Sequence, residues 1–559
     1  MNAYFTFAAL LSYFQTNEMQ IMRNFIDILQ ESIRTNWEAN ALSDLGGETF
    51  KFRQIAEEVR HLHHIFENAG LKAGDRVALC AKNSSHWAIS FLAVETYHAV
   101  AVPLLNDFLP ESVMKLVDHS ESKMFFTERT IWENLDPAKM PGLGVAIDVD
   151  DFSLLMGDAS ITDIPSEMSR KPMEPADVRY ETGSLDDLAL INYTSGTTSA
   201  PKGVMLTFRN ISSNIEFALL HIPNGPGDEM ISMLPLAHMY GLAFEFIYPL
   251  AGGCHVHFLG KTPSPKVLLG AMASVQPYLL ITVPLVLEKI FRNAVFPTLN
   301  KPAIKRLMRI PFFDAFMKKT IRKKLMKTFG GKVRSIIVGG AAINNDVEMC
   351  MKSIGLPYLV GYGMTECAPL LSYEGWEKFV AKSCGKAVDG MELRIDSEDP
   401  QHVPGEILAK GVNVMSGYYK DPDATAAAID MNGWLHTGDM GVIDAKGNVF
   451  IKGRCKNLIV GANGQNIYPE EIEDKLNSLP LVAESIVVER NNQLVALIFP
   501  VLEKGRKALS PEAMAAKMEE NRLRLNEMLP AYSRVAKVEL RDTEFEKTPK
   551  RSIKRFLYK

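Results

Sequence analysis

Short apolar runs alternate with helical patterns along the first half of the chain. The runs Arg76–Cys80, 99–103 and 123–126 are apolar at nearly every position, which predicts buried strands. Segments 52–66 and 111–117 instead repeat apolar residues every three or four positions, which is the spacing of one helix face. Such alternation is typical of parallel sheets flanked by helices, and it predicts an α/β fold.

The last third of the chain has a different pattern. Short strands at 393–395, 405–409 and 448–452 are separated by Gly, Asp and Asn, and they predict a β-rich subdomain over about 385–453. Helices and strands then alternate again for roughly 100 residues, a common size for a small domain. We therefore predict an extension at 1–20, a large N-terminal domain of parallel-rich sheets with helices at 21–453 that includes the β-subdomain, and a small, mobile α+β lid domain at 454–559.

Composition narrows the class of protein. The chain has 559 residues, an apolar content of 47% and a formal net charge of −5, which favours a large multi-domain protein and gives no reason to expect a nucleic acid as partner. The six cysteines are scattered, without the paired spacing of a zinc site or a disulfide framework. We therefore expect a reduced, cytoplasmic protein.

Residues 1–20 contain one apolar stretch, at 3–14. It lacks the basic segment and the small-residue cleavage site of a signal peptide, and it is too short to span a bilayer. Met19 and Met22 come just before the helix expected to begin at 24–29. We interpret 1–20 as a dispensable extension, consistent with an upstream start codon.

A loop rich in hydroxyl groups follows the strand at 188–191, and it reads Tyr193-Thr-Ser-Gly-Thr-Thr-Ser-Ala-Pro-Lys-Gly203. Backbone N–H groups, hydroxyls and a lysine in such a loop suit the phosphates of a nucleotide. The order differs from that of a P-loop, in which Gly-Lys-Ser/Thr follows four spacer residues. A solvent-exposed turn is the alternative interpretation. The candidate phosphate ligands are Thr194, Ser195, Gly196, Thr197, Thr198 and Lys202.

Two further motifs follow predicted strands. Gly339-Gly-Ala-Ala342 comes after 333–338, and its small side chains let a flat ring approach the backbone, although a tight turn would use the same residues. Gly361-Tyr-Gly-Met-Thr-Glu366 comes after 358–360. It offers an aromatic ring to stack on a base, a hydroxyl for a phosphate and a carboxylate for Mg²⁺.

The last motifs lie further along the chain. Gly433-Trp-Leu-His-Thr-Gly-Asp439 ends in a carboxylate that can accept both hydroxyls of a ribose or simply close a hairpin turn, and Gly453-Arg-Cys-Lys-Asn-Leu-Ile459 follows soon after. In this order and spacing, from about residue 45 to the C-terminus, the motifs resemble those of the acyl-adenylate-forming (AMP-binding) superfamily. The resemblance is greatest to the bacterial long-chain fatty acyl-CoA synthetases.

The resemblance implies an ATP-dependent, AMP-forming ligase. A fatty acid would react with ATP and Mg²⁺ to give acyl-AMP and pyrophosphate, and CoA would then take the acyl group. A carrier-protein thiol is the alternative acceptor. The acyl chain length and the oligomeric state are left open.

The resemblance also implies roles for the candidate residues. The phosphate and metal ligands would be Thr194 to Thr198, Lys202, Thr365 and Glu366, with Mg²⁺ on Thr194 and Glu366. The ligands of adenosine would be Gly340, Ala341, Tyr362, Gly363, Asp439 and Arg454. Lys456 would be the hinge of the lid domain, and His238 would line the acyl and carboxylate pocket, with an ordinary core histidine as the alternative.

Two positions depart from the family pattern. Ser199 stands where the family usually has glycine. At the C-terminus, Lys547-Thr-Pro-Lys-Arg-Ser-Ile-Lys-Arg555 places Ser552 at the position of the family's catalytic lysine. Lys550 and Lys554 are each two residues away, on the same face of an extended segment, and we take Lys554 as the replacement. The serine also motivates a rival of another class, a non-catalytic acyl- or nucleotide-binding homologue.

Residues 301–332 form a basic insert. It contains eleven Lys/Arg and one acid, Asp314, with apolar residues at helical spacing. Such an element can lie on an anionic membrane, or it can pack its apolar face on the protein. An insert of this character resembles that of the long-chain synthetases, so we expect a fatty acid as substrate and peripheral contact with the inner face of the membrane.

Overall fold

The computed structural model of the chain describes residues 22–163, 172–194, 201–261, 264–460, 465–491, 493–501, 509–547 and 553–558. The extension at 1–20 lies outside them. The strands, numbered in chain order, are β1 Asn40–Asp44, β2 Thr49–Lys51, β3 Arg76–Cys80, β4 Val100–Pro103, β5 Met124–Thr127, β6 Val145–Asp148, β7 Leu154–Met156, β8 Leu188–Thr194, β9 Lys202–Thr207, β10 Glu229–Ser232, β11 His255–Phe258, β12 Leu279–Thr282, β13 Ser335–Val338, β14 Tyr358–Val360, β15 Tyr362–Gly363, β16 Leu370–Tyr373, β17 Lys386–Ala387, β18 Met391–Asp396, β19 Gly405–Gly411, β20 Gly417–Tyr418, β21 Leu435–Ile443, β22 Val449–Arg454, β23 Ile459–Val460, β24 Asn466–Ile467, β25 Val482–Arg490, β26 Gln493–Pro500 and β27 Val535–Leu540.

The helices are numbered in the same way. They are α1 Phe25–Thr35, α2 Phe52–Asn68, α3 Ser85–Thr96, α4 Pro110–His119, α5 Arg129–Trp132, α6 Phe208–His221, α7 Met239–Gly241, α8 Tyr248–Ala251, α9 Pro265–Val275, α10 Pro284–Ile290, α11 Phe296–Leu299, α12 Pro302–Leu307, α13 Pro311–Thr328, α14 Asn345–Ile354, α15 Pro422–Ala428, α16 Pro469–Asn477 and α17 Pro511–Glu527. Within the described residues, no helix combines the length and the apolar character needed to cross a membrane.

Two large sheets form the N-terminal part. One has seven strands in the order β14-β13-β12-β10-β11-β1-β2, and the other has eight in the order β20-β9-β8-β4-β3-β5-β6-β7. Most neighbours are parallel, and antiparallel pairs lie toward the edges, as in β1–β2 and β8–β9. The carboxyl ends of parallel strands share one edge of a sheet, so the loops after β10, β13 and β14 emerge together.

Every residue of β12 and β13 is buried. Every residue of α3 except His86 is buried as well, which is expected of a helix that is apolar on all sides. The strand at 333–338 was predicted from its sequence because its local apolar pattern already indicates this burial.

The C-terminal third contains smaller sheets. Strands β18, β19, β21 and β22 form an antiparallel sheet, and β25, β26 and β27 form a mixed sheet in which β26 and β27 are parallel. The second of these packs with α16 and α17 around its own apolar cluster, which includes Leu476, Val487 and Leu525. The α/β fold class, with a large N-terminal part and a small C-terminal part, is confirmed. The domain boundaries stay a prediction.

Candidate active site

Most of the predicted site residues line one cavity of about 1760 Å³. Asp439 and Lys554 do not line it, and Ser195, Gly196, Thr197 and Thr198 lie outside the described residues. The predicted residues in the cavity wall are Thr194, Lys202, His238, Gly340, Ala341, Tyr362, Gly363, Thr365, Glu366, Arg454 and Lys456.

A carboxylate and an ammonium group meet around one phenol ring in this cavity. Glu366 Oε1 accepts a hydrogen bond from Tyr418 Oη at 3.0 Å, and Lys202 Nζ lies 4.6 Å from the centroid of the Tyr418 ring. Burial and the charge of Glu366 raise the pKa of Tyr418 well above its ordinary value, so the phenol stays protonated and donates. The arrangement offers an oxygen ligand for a hard cation and a positive charge for phosphate.

Asp439 is held between two residues of the cavity wall. It is buried, accepts a hydrogen bond from Tyr362 Oη at 2.8 Å and pairs with Arg454 Nε at 2.7 Å. The register of β21 and β22 places Asp439 directly opposite Arg454. Burial raises the pKa of Asp439 above its ordinary value, although Arg454 and Tyr362 act to lower it. The carboxylate therefore fixes an aromatic ring and a guanidinium group at the edge of the cavity.

The ends of the predicted phosphate loop are held by a strand pair. Strands β8 and β9 are antiparallel, and Thr194 faces Lys202 across the ladder. Thr194 Oγ1 donates to the backbone oxygen of Lys202 at 3.5 Å. The hydroxyl and the ammonium group predicted to bind phosphate thus start from neighbouring positions of one sheet.

A close contact explains the first glycine after β13, and a left-handed backbone conformation explains the second. A Cβ atom on Gly339 would lie 2.9 Å from Cζ of Tyr240, and Gly340 has a φ of +83°, in the left-handed region that favours glycine. Tyr240 Oη donates to the backbone oxygen of Ile337 at 3.3 Å. The small-residue motif therefore makes room for a tyrosine of the protein itself, beside the predicted adenine position.

The segment that carries His238 rests on a buried carboxyl group. Glu245 Oε2 accepts hydrogen bonds from the backbone N–H groups of Met233 at 2.9 Å and Leu234 at 2.8 Å. Burial raises the pKa of Glu245 to about 8, although these N–H donors act to lower it.

Two amide side chains hold the same segment. Asn83 Nδ2 donates to the backbone oxygen of Leu234 at 2.6 Å, and Asn83 Oδ1 accepts from the backbone N–H of Leu236 at 3.0 Å. Asn192 Nδ2 donates to the backbone oxygen of Ala237 at 2.9 Å. Side chains from three separate segments of the chain thus position the loop that ends at His238.

An apolar arm of the cavity extends between α9, α10 and α13. Because α13 belongs to the basic insert, one face of the insert packs on the protein, as the second interpretation expected. Near the start of the same helix, Phe312 and Phe316 are 84% and 56% exposed. The apolar residues of the arm include Met239, Phe244, Leu268, Met272, Ile290, Met317, Ile321 and Leu325.

The structure does not bring Lys554 to the cavity. Its Nζ lies 3.6 Å from Glu546 Oε2, whereas its neighbours Ile553, Arg555 and Phe556 line the cavity wall. Arg555 itself pairs with the buried Glu473. Lys550 and Ser552 lie outside the described residues, so the choice of Lys554 stays a prediction.

The sequence did not reveal Tyr418, Glu245 or Asn83 as site residues. Tyr418 and Asn83 contact distant segments, and the Asn83 contact with Leu234 spans 151 positions. Glu245 left one usable signal, because it is the only charged residue in the segment Leu242–Ile247. A charged side chain in a buried helix needs hydrogen-bonding or charged partners. Its presence in an apolar segment therefore indicates a structural contact.

Two known family models match most of the chain. A family model described as AMP-binding enzyme matches residues 29–419, and a model described as AMP-binding enzyme C-terminal domain matches residues 456–558. The chain belongs to the AMP-binding enzyme family. The resemblance drawn from the motifs is therefore confirmed.

Curated relatives of this AMP-binding enzyme include two ligases. Long-chain-fatty-acid–CoA ligase 5 of Rattus norvegicus is 30% identical over 467 residues, which cover 76% of this chain and 66% of the rat protein. The chain thus spans just under two thirds of the length of that relative. Long-chain-fatty-acid–CoA ligase FadD15 of Mycobacterium bovis is 29% identical over 461 residues, which cover 78% of this chain and 74% of that protein.

Solved structures of similar fold cover nearly the whole of this AMP-binding enzyme. ATP-bound MatB from Rhodopseudomonas palustris has a TM-score of 0.76 at 24% identity, covering 96% of this chain and 97% of that chain. O-succinylbenzoate coenzyme A synthetase (MenE) from Bacillus subtilis, in complex with ATP and magnesium ion, has a TM-score of 0.72 at 22% identity, covering 95% and 98%. At these identities the likeness shows the fold alone.

Proposed function

We propose that the protein is an AMP-forming fatty acid–CoA ligase. A fatty carboxylate displaces pyrophosphate from the α-phosphate of ATP to give acyl-AMP, and the CoA thiol then displaces AMP to give acyl-CoA. One observation above all supports this: the nucleotide motifs and the apolar arm open into the same cavity. The family match and the names of the two curated ligases agree with it.

Lys202 and Glu366 would form the phosphate end of the site. Lys202 would neutralise the β- and γ-phosphates with Thr194 and the predicted loop residues, and Thr365 would contact the α-phosphate. Glu366 and Thr194 carry the oxygen ligands that Mg²⁺ prefers, and the hydrogen bond from Tyr418 keeps the Glu366 carboxylate in place. A bound Mg²⁺ would supply charge neutralisation for the transferring phosphate.

The nucleoside would occupy the part of the wall around Tyr362. The Tyr362 ring would stack on adenine beside Gly340 and Ala341. Arg454 would contact the ribose with Asp439, whose contacts to Tyr362 and Arg454 hold both groups in position before the nucleotide binds.

The acyl chain would lie in the apolar arm, with its carboxylate near His238. The hydrogen bonds that Asn83, Asn192 and Glu245 make with the His238 segment would keep the fatty carboxylate in line with the α-phosphate. Such positioning is the main way in which a protein can accelerate this displacement. Apolar walls would also keep water from the mixed anhydride.

Both steps would need a rearrangement of the C-terminal part. Arg292 Nη2 donates to the backbone oxygen of Asn477 at 2.8 Å, and Asn344 Nδ2 donates to Ser478 Oγ at 3.0 Å, and these contacts hold the orientation observed. In our proposal, rotation about Lys456 brings Lys554 to the nucleotide for adenylation and withdraws it before CoA enters.

Pyrophosphate release tests this function. The protein is incubated with MgATP and acetate, octanoate or palmitate, each with CoA, with holo-carrier protein or with neither. We expect release that depends on the fatty acid and many turnovers only with CoA. Turnover only with carrier protein would favour the alternative acceptor, and no release with any acid would favour the non-catalytic homologue.

We further propose that the start of the basic insert contacts an anionic lipid surface. Phe312, Phe316 and Ile310 are exposed, the last at 54%, and Lys305, Arg306 and Arg309 lie beside them in sequence. Exposed apolar side chains among basic ones suit the boundary between anionic headgroups and acyl chains. Because α13 also lines the apolar arm, a fatty acid would have a short route from the lipid to the cavity.

A further inference from the structure

A second group of ligating side chains lies at the start of β10 and β11. Glu229 faces His255 across this parallel strand pair, and His257 projects from the same face as His255 because side chains alternate along a strand. Glu229 Oε2 lies 3.0 Å from His255 Nδ1 and 2.5 Å from His257 Nε2. None of the three residues lines the cavity described above.

The three side chains are close enough to share one ion. One carboxylate oxygen and one nitrogen from each imidazole all lie within 4.8 Å of one another. Ligand atoms around a tetrahedral zinc ion are roughly 3.4 Å apart, given metal–ligand distances near 2.1 Å. Small rotations of Glu229 and His257 would open the cluster to that size.

The other nitrogen of His255 is already engaged. His255 Nε2 lies 2.7 Å from Ser43 Oγ, which in turn lies 2.7 Å from Thr49 Oγ1. A histidine that binds a metal usually donates its second ring N–H to such a partner, which fixes the tautomer. If Nε2–H donates to Ser43, Nδ1 faces the Glu229 carboxylate either with a lone pair, which requires a metal cation between them, or with a second proton, which makes the ring an imidazolium ion. In a neutral ring without a metal ion, Nδ1–H donates to Glu229 and Ser43 donates to Nε2.

We propose that Glu229, His255 and His257 bind a divalent transition-metal cation of the zinc class. Two imidazole nitrogens and one carboxylate oxygen are ligands typical of zinc, and water would complete the tetrahedron. Mg²⁺ and Ca²⁺ prefer oxygen ligands alone, so the ion differs from the one expected beside ATP. The proposal is independent of the ligase activity.

The bound ion would stabilise the seven-stranded sheet. It would join β10 to β11 at their first residues, beside β1, where Ser43 supplies the outer hydrogen bond. Strand β10 then leads into the segment that ends at His238. We therefore expect the ion to raise the melting temperature of the protein rather than to take part in catalysis.

Metal titration of the full chain tests the site. The protein is treated with a chelator, dialysed and titrated with ZnCl₂, CoCl₂ or MgCl₂. We expect one strongly bound Zn²⁺ per chain, a higher melting temperature with Zn²⁺, and the visible absorption of tetrahedral Co²⁺. His257→Gln and Glu229→Gln should lose that binding, and Ser43→Ala should weaken it by about 10- to 100-fold. MgCl₂ should not displace Co²⁺.

His221→Gln is the matched control, because His221 Nε2 also pairs with a carboxylate, Asp389, at 2.7 Å. It should bind zinc as the wild type does. Equal zinc binding by wild type and His257→Gln would overturn the proposal. If the variants fail to fold, the Co²⁺ titration of the wild-type protein tests the proposal alone. Absence of the tetrahedral Co²⁺ spectrum in the wild type would overturn the proposal.

Discussion

Tyr418 donates its phenolic hydroxyl to Glu366 at 3.0 Å, and the ammonium group of Lys202 lies over the same ring, 4.6 Å from its centroid. Tyr418 thus fixes Glu366, the proposed Mg²⁺ ligand, relative to Lys202, whose ammonium group is proposed to bind phosphate. Tyr418 can do this because its strand β20 pairs with β9, which begins at Lys202.

Tyr418→Phe should slow adenylation without unfolding the protein. The variant keeps the ring beneath Lys202 and removes only the hydrogen bond to Glu366. Hydrogen bonds to charged groups contribute about 1.5 to 3 kcal/mol, so we expect a fall in kcat/KM for ATP of about tenfold or more. ATP–pyrophosphate exchange measures it.

Tyr419→Phe is the control for this variant, because Tyr419 Oη donates to Glu121 at 3.0 Å and not to Glu366. It should exchange at the wild-type rate. Equal exchange rates for both phenylalanine variants would show that the Tyr418 hydroxyl does not contribute to adenylation.

The structure explains which site residues could be found from the sequence. The motifs after β8, β13 and β14 are local, since a strand and the loop that follows it are adjacent in the chain. Strand and helix positions were predictable for the same reason. Tyr418 and Asn83 could not be found in this way, because their hydrogen bonds to Glu366 and to Leu234 depend on how distant segments pack.

Two further questions depend on packing that the sequence does not encode locally. The pattern of the basic insert allowed either lipid or protein as the partner of its apolar face, and only the fold places Met317, Ile321 and Leu325 in the cavity wall. The position of Lys554 depends on the orientation of the C-terminal part, which spacing within one motif cannot determine.

Glu245→Gln should change how stability depends on pH. Burial raises the pKa of Glu245 from its ordinary 4.5 to about 8. Since the folded state binds this proton more tightly, the stability that the group contributes is fully present below about pH 4.5 and is lost as the pH rises through about 8. Glutamine keeps an acceptor oxygen for the Met233 and Leu234 N–H groups and cannot ionise.

The free energy of unfolding of the variant, relative to wild type, should therefore rise between about pH 5 and pH 8, by up to about 1.4 kcal/mol per pH unit. Denaturant titrations at several pH values measure it. Glu133→Gln, at an exposed position, is the control. Parallel pH curves for wild type and Glu245→Gln would show that this carboxyl group does not govern the dependence.

Charge reversal in the basic insert should weaken binding to anionic vesicles. Lys319→Glu/Lys323→Glu changes two exposed residues and spares Lys318, which pairs with Asp314, and Lys324, which lines the cavity. Each basic residue near such a surface contributes about 1 kcal/mol, so co-sedimentation should fall about tenfold or more. Phe312→Ser/Phe316→Ser should act in the same direction.

Lys72→Glu/Lys446→Glu makes the same charge change at exposed positions elsewhere. It should leave vesicle binding nearly unchanged. If both double lysine variants sediment alike, net charge accounts for the effect and the insert has no special role.

Lys554→Ala tests the replacement for the missing lysine. If Lys554 neutralises charge in the transition state of adenylation, the variant should lose about two orders of magnitude or more in ATP–pyrophosphate exchange. Thioester formation from supplied acyl-AMP should be nearly unaffected. Loss in Lys550→Ala instead, at a position outside the described residues, would assign the role to that lysine. Full activity in both variants would contradict a lysine at this step.

Palmitate-dependent pyrophosphate release by Ile321→Trp tests the central claim most directly, namely that a long acyl chain is adenylated in the arm lined by α13. Ile321 lies in the wall of that arm, and Leu307, 40% exposed and absent from the wall, is the control position. The account predicts that wild type and Leu307→Trp use palmitate, and that Ile321→Trp lowers the ratio of kcat/KM for palmitate to that for octanoate by about tenfold or more. An unchanged ratio, or no acid-dependent release from the wild type, would contradict it.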